Sequence, residues 1–249
     1  MTLTDQEFLR YSRHIMMSQI GEQGQQQFKS SRVLIIGMGG LGCPAAQYLL
    51  SSGIGSLTLV DHDVIELSNL QRQVLYTSDD VGEHKVEAAK YVLEAMNPHC
   101  QLQAIAESVF DINLAALLEH IDIVLDCTDN PQTRQYINQQ CVNARVKLVS
   151  ASAIQGSGHL LSFDFADSES PCYQCLYADG DNSALNCSSM GVMAPLLGVM
   201  GSLQALEALR LLLGYHDNLN KVLLFDGFAM QFHGFSVSRN PTCPICNSR

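Results

Sequence analysis

The stretch that most constrains this chain is Arg32 to Gly42, RVLIIGMGGLG, where a β-branched apolar run stops at a glycine and a G-x-G-x-x-G pattern leads into the helical pattern of Pro44 to Leu50. A short apolar run without polar alternation suits a strand buried on both faces. Glycines at the following turn (Gly37, Gly39, Gly40 and Gly42) let phosphate groups approach the N-terminus of the next helix. Strand, turn and helix in that order make half of a βαβ unit. The same grammar recurs: Leu57 to Val60 ends at Asp61, Asp122 to Leu125 ends at Asp126, Lys147 to Ser150 is a fourth strand, and Lys85 to Met96 and Asn113 to His120 are helical. The expected fold is therefore α/β, Rossmann-like, with a doubly wound and mostly parallel sheet. After about Ser157 the character changes, and Leu160 to Phe165, Val222 to Phe225 and Phe232 to Val237 read as antiparallel strands continuing that sheet.

Residues 1–30, with Phe8, Leu9, Ile15, Met16 and Ile20 at roughly helical spacing, read as an N-terminal helical arm. Residues 31–156 form a nucleotide-binding part and 157–249 a second part of one continuous domain, with no repeat or linker between them. Hydrophobic residues make up 47% and charged residues 16% of the 249 positions, enough apolar surface for a sizeable core. The formal net charge of −11 opposes adhesion to nucleic acid or anionic lipid. The start MTLTDQEFLRYSRH lacks the basic-then-apolar plan of a secretory signal, which makes the cytoplasm the expected compartment. Met190 to Leu206 carries no charge, but Pro195, three glycines and the nearby Glu207 and Arg210 make it a buried helix with its approach loop rather than a membrane span.

Asp61 lies 19 residues beyond Gly42 at a strand end, where a carboxylate accepts hydrogen bonds from ribose hydroxyls. Glycine loop and acid alone suit a dinucleotide as well as ATP, so an NAD-dependent oxidoreductase is one reading. Ser68-Asn69-Leu70-Gln71-Arg72-Gln73 and Lys85 favour the triphosphate: an arginine fork and an ammonium neutralise phosphates and a departing pyrophosphate, which hydride transfer does not require. Asp126-Cys127-Thr128-Asp129-Asn130 closes another strand at the same rim, and a carboxylate there suits Mg²⁺, with Asp129 the preferred ligand and Asp126 the second. Helix capping is the plainer role for this segment.

Nine cysteines, an odd number, argue for metal ligation and free thiols over a disulfide framework in a reducing compartment. Cys172-x-x-Cys175 and Cys243-x-x-Cys246 supply four thiolates for a tetrahedral Zn²⁺ site. The 67 residues between the pairs exceed a zinc-finger module, so this metal ties the C-terminal tail to the domain. Cys187, in a polar stretch, reads as an exposed, reactive thiol, and Cys43, Cys100, Cys127 and Cys141 as small buried residues. The polar segment from Tyr177 to Ser189 reads as a mobile crossover.

Taken in order, RYSRH at 10–14, GMGGLG, the acidic strand end with SNLQRQ, Lys85, DCTDN, both CxxC pairs and GVMAPLLGVMGSLQALEAL resemble the ThiF/MoeB group of adenylyltransferases, relatives of ubiquitin-activating enzymes, nearly end to end. The resemblance implies ATP-dependent adenylylation of the C-terminal glycine carboxylate of a ubiquitin-like sulfur carrier protein, ThiS-like or MoaD-like. Sulfur would come from a cysteine desulfurase or a rhodanese, and residues 157–249 would carry the carrier-binding surface. It places Gly40 against the nucleotide, Asp61 on the ribose, Asn69, Arg72 and Lys85 on the phosphates and Asp129 on Mg²⁺. Arg13 would reach the active site of a second copy in a homodimer; Cys187 would link covalently to the carrier on the thiamine side and be dispensable on the molybdopterin side. RYSRH, DNPQTRQYIN and LFDG side with the thiamine enzymes, and SALNC, GVMAPL and LLGY with the molybdopterin enzymes. The thiamine side is taken first and the molybdopterin side as the alternative.

Overall fold

The computed structural model describes residues 2–177 and 191–247. Its centre is an eight-stranded sheet in the order β3-β2-β1-β4-β5-β6-β7-β8. The strands are β1 Arg32–Ile36, β2 Ser56–Val60, β3 Gln101–Ile105, β4 Ile123–Asp126, β5 Lys147–Ile154, β6 Ser157–Phe163, β7 Lys221–Asp226 and β8 Gln231–Ser236. The first five pair in parallel and the last three antiparallel, as the sequence predicts. The unbroken apolar character of β1 follows from its place. Val33 and Ile35 point into the core under α4 (Gly42–Ser51), α5 (Lys85–Met96) and α9 (Ala194–Leu212), while Leu34 and Ile36 point into the core under α6 (Leu114–Leu118) and α7 (Pro131–Ala144).

Several details differ from the sequence reading, among them β5, which runs on to Ile154 instead of ending at Ser150. Edge strand β3 was not anticipated, because QLQAI is half-exposed and alternates with glutamine. Helix α7 was also missed, although Asn130 at its N-cap and Pro131 in its first turn are start signals. Helix α6 is shorter than 113–120, with Asn113 as its cap. Strand β6 begins at Ser157 and ends at Phe163, because a tight turn with Gln155 at a φ of 54° brings the chain back onto β5 early.

Helix α9, with 19 residues, is long and apolar enough to cross a bilayer by length and composition alone. It is a core helix instead, packed on α4, β5 and β6 with Leu197, Met200, Ala205, Ala208 and Leu211 buried. Gly201 permits this approach, since a Cβ there would collide with the Leu41 carbonyl and lie 2.6 Å from the Pro44 ring. The proposed crossover, with Cys187 in it, lies outside the described residues from 178 onward.

The arm is three short helices, α1 (Asp5–Arg10), α2 (Ser12–Ile15) and α3 (Gly21–Ser30). Helix α1 starts with a capping box in which the Glu7 carboxylate accepts from the Thr4 N–H at 2.8 Å. The same carboxylate accepts from Lys29 Nζ of α3 at 2.7 Å. Burial alone would raise the Glu7 pKa, but the bonds from Lys29 and Thr4 outweigh it and lower it from 4.5 to about 2. A depressed pKa means the stabilisation is complete above the unfolded value and disappears as pH falls toward the folded one. Docking of α1 should therefore weaken between about pH 4.5 and 2, and Glu7→Gln should remove about 1 kcal/mol. Hydrogen exchange of the α1 amides checks both; amides whose protection is unchanged at pH 3 would contradict the tie.

Candidate active site

The strand order reverses between β1 and β4, where open α/β sheets bind ligands beyond their carboxyl ends. A cavity of about 690 Å³ opens there. Its lining includes Gly37, Gly39, Gly40, Asp61, Asn69, Gln71, Arg72, Gln73, Lys85, Asp129 and Asn130. Gly42, Ser68, Leu70 and Arg13 of the expected set do not line it. Ser68 is exposed and donates to Glu66 at 3.2 Å, and Leu70 packs against the core. Arg13 is exposed on α2, away from this chain's own cavity.

Two glycines are required by geometry. Gly37 holds a φ of 94°, and a Cβ there would lie 2.9 Å from the backbone of Cys127, the neighbouring strand end. A Cβ on Gly42 would fall on the Gly37 carbonyl, so the loop closes on itself only without it. Asp61 then fixes the loop from the next strand: Oδ2 accepts from the Met38 N–H at 2.7 Å and Oδ1 from the Asp63 N–H at 2.8 Å. Burial pushes its carboxyl above the ordinary range, against the pull of Lys85.

The cations are held ready. Lys85 is buried and donates from Nζ to Asp63 Oδ2 at 2.7 Å. The sequence reading passed over Asp63, although it stands two positions past Asp61 in the same acidic strand end. Arg72 donates from Nη1 to the Ser68 carbonyl at 3.0 Å. Gln73 is 3% exposed, yet its Oε1 has no hydrogen-bond partner among the described residues. An orphaned acceptor in a cavity wall is relieved by a ligand's donor, so the lining fits a polyhydroxylated, polyanionic guest such as ATP.

Asp129 and Asp126 divide their expected roles. Asp129 is exposed at the rim and forms no hydrogen bond with the described residues, leaving its carboxylate open to a cation. Asp126 is 1% exposed and already committed: Oδ1 accepts from Thr128 Oγ1 at 2.7 Å, and Oδ2 from Ser150 Oγ at 2.8 Å and Arg134 Nη1 at 3.4 Å. It is thus an anchor for the turn, which corrects its reading as a second Mg²⁺ ligand. Asn130 caps α7 by accepting from the Gln132 N–H at 2.8 Å, the plainer role foreseen for that segment.

The turn carrying Asp129 is gripped from both faces of the sheet. Strand β4 parts from β5 after the pair Asp126 and Ser150. Arg134, from α7, donates to the Thr128 carbonyl and, at 2.8 Å, to the Ala151 carbonyl. Gln204, fully buried on α9, donates from Nε2 to the Asp126 and Val149 carbonyls at 2.9 Å each and accepts from Cys127 Sγ at 3.2 Å. Neither Arg134 nor Gln204 was singled out in sequence, since a polar residue on a helix reads as solvated until its neighbours are known. Cys127 is buried as expected, but it also lines the cavity floor.

A second cluster sits where the tail returns. The four sulfurs of Cys172, Cys175, Cys243 and Cys246 all lie within 4.8 Å of one another, with Cys172 Sγ 3.7 Å from Cys243 Sγ and Cys175 Sγ 3.4 Å from Cys246 Sγ. These separations are too long for disulfides. They suit a tetrahedral metal with bonds of about 2.3 Å. The Asn240 N–H donates to Cys175 Sγ at 3.4 Å, a polarising contact for a thiolate ligand. Short helix α8 (Tyr173–Leu176) presents the first pair, and the Tyr173 N–H is fixed on Asn138 Oδ1 at 2.9 Å.

The model of the ThiF family matches residues 11–245. The chain belongs to the ThiF family. Among its relatives, the molybdopterin-synthase adenylyltransferase of Escherichia coli K12 is 47% identical over 98% of both chains. The sulfur carrier protein ThiS adenylyltransferase of the same organism is 43% identical over 98% of this chain and 97% of the relative. The crystal structure of E. coli MccB with ATP superposes with a TM-score of 0.80 at 28% identity, over 95% of this chain and 74% of that one. Relatives of both sulfur-carrier kinds thus match this chain over nearly its whole length.

Two substitutions test this architecture. Gly42→Ala should leave the protein folded and weaken binding of a non-hydrolysable ATP analogue more than about tenfold by calorimetry, because the loop cannot close around the extra methyl. Arg134→Met strands a buried carboxylate and should remove about 3–5 kcal/mol, seen as a fall in melting temperature of about 10 °C. An unchanged melting temperature would contradict the grip on β4.

Proposed function

We propose that this ThiF-family chain is an ATP-dependent adenylyltransferase that activates the C-terminal glycine carboxylate of a ubiquitin-like sulfur carrier protein. The carrying observation is the convergence of Asp61, Arg72, Gln73, Lys85 and Asp129 on one cavity at the strand-order reversal. A carrier carboxylate oxygen attacks the α-phosphorus of ATP, the bond to the bridging oxygen breaks, and pyrophosphate leaves with that electron pair. The carrier is then an acyl adenylate, ready for sulfur transfer from a cysteine desulfurase or a rhodanese. Arg72 and Lys85 offset charge on the phosphates, and Asp61 receives the ribose. Asp129 would hold Mg²⁺, whose contribution when bound is further neutralisation of the triphosphate. The four cysteines would hold Zn²⁺ as a structural tie, since four sulfurs leave no open position for a catalytic water. Arg13 serves the cavity of a second copy in a homodimer, and on the thiamine-side reading the Cys187 thiolate attacks the carbonyl carbon of the acyl adenylate, forming a thioester to the carrier as AMP leaves; on the molybdopterin side Cys187 is dispensable. The cytoplasm is the proposed compartment, in keeping with eight described cysteines that are all free of disulfides.

For the carrier, the molybdopterin-synthase type is supported by one relative at 47% identity, while a second of that type stands at the same 43% as the thiamine-side relative. The thiamine-side reading is supported by RYSRH, DNPQTRQYIN and LFDG.

The deciding measurement is exchange of labelled pyrophosphate into ATP with each carrier supplied separately. Exchange with one carrier alone names the pathway, and silence with both rejects the proposal. Asp129→Ala should lower carrier-dependent exchange by about a hundredfold at an unchanged melting temperature; near-normal exchange would remove Asp129 from the mechanism.

A further inference from the structure

The five-residue motif Arg10-Tyr11-Ser12-Arg13-His14 contains more than the one arginine assigned above. Tyr11 is 4% exposed, and its hydroxyl accepts from Asn97 Nδ2 at 2.8 Å, the nitrogen that also donates to the Leu50 carbonyl at the end of α4. Its ring lies on Gly53, where a Cβ would come within 2.7 Å of it. His14 Nδ1 pairs with Gln25 Oε1 at 3.1 Å, and Gln25, fully buried, donates onward to the Ser52 carbonyl at 2.8 Å. The histidine ring also meets Phe28 edge-on, with centroids 6.2 Å apart. Arg10 donates to the Met96 carbonyl at 3.1 Å. Arg13, between these anchors, is exposed and forms no hydrogen bond or ion pair with the described residues. Leu9 and Met16, within four residues of it, leave 79% and 75% of their surface in solvent, as a segment facing another protein surface does.

We infer that Tyr11 and His14 are positioning residues that fix α2 on the turn Ser52-Gly53, so that Arg13 is presented outward in one orientation to the cavity of a second copy. The inference rests on the proposed action of Arg13 in a second copy. An arginine side chain loses much rotamer freedom on binding, and a backbone fixed beforehand keeps that loss from growing. Tyr11 is buried and His14 half-buried against the core, whereas the guanidinium reaches a ligand this chain does not itself hold. That division gives anchors and arginine separate, testable jobs.

The test is carrier-dependent pyrophosphate exchange by full-length Tyr11→Phe/His14→Ala, by Arg13→Ala and by the triple variant, each with a melting curve. If the anchors act through Arg13, the double variant loses about tenfold in kcat/KM and the triple variant is no worse than Arg13→Ala. A further loss of about tenfold in the triple variant shows that the anchors serve this chain's own fold, and overturns the inference. An unaffected double variant beside an impaired Arg13→Ala also overturns it, leaving the role of Arg13 intact. An unimpaired Arg13→Ala instead removes the arginine reading, and the inference with it. A mixing experiment provides a readout that misfolding would not move. The double variant keeps a sound cavity and Asp129→Ala keeps a sound arm, so hybrid dimers should restore exchange above the sum of the two alone; no gain on mixing would overturn presentation to a second copy.

Discussion

The buried pair of Asp126 and Arg134 is the contact on which the site's shape depends. Taking a carboxylate and a guanidinium out of water is unfavourable, and it is offset here only because each group has several partners: Ser150 and Thr128 on the acid, the Thr128 and Ala151 carbonyls on the base. Those partners belong to the turn beyond β4 and to the neighbouring strand β5. The pair therefore fixes where β4 leaves the sheet, which is where Cys127, Thr128 and Asp129 come to line the cavity. Gln204 does the complementary work from the opposite face, satisfying the backbone carbonyls of Asp126 and Val149. A parallel sheet opened at one strand end would otherwise carry unsatisfied polar groups into its core.

Within that frame the charges divide their work by burial. Asp61 holds the glycine loop with Oδ2 and its own strand end with Oδ1 while still facing the cavity, so the glycine loop is shaped before any ligand arrives. Asp63 holds the Lys85 ammonium beside that loop. Asp129, one turn beyond the buried pair, stays open at the rim. Three acids at two strand ends thus stand as anchor, partner of a cation and exposed rim carboxylate, and their surroundings rather than their chemistry set those places.

The legibility of the sequence followed the strength of local constraints. The glycine loop was readable because positive φ and close backbone approach exclude other residues at Gly37 and Gly42. The CxxC pairs were readable because a metal needs paired sulfurs at short spacing. Strand β3 was not, because an edge strand with one half-exposed face carries little apolar signal. Asp126 was misread as a metal ligand because two acids three positions apart look alike until the depth of each is known.

By itself the sequence determined the parallel-then-antiparallel plan of the sheet, the glycine turn after β1 and the spacing within each cysteine pair, since each rests on residue types within a few positions of one another. Tertiary structure alone decided which acid is buried and which is open, that Arg134 and Gln204 grip the same turn from opposite faces, and that Tyr11 and His14 hold the arm while Arg13 is left exposed. Those outcomes depend on contacts between residues as far as 86 positions apart, and no local pattern encodes the distance between them.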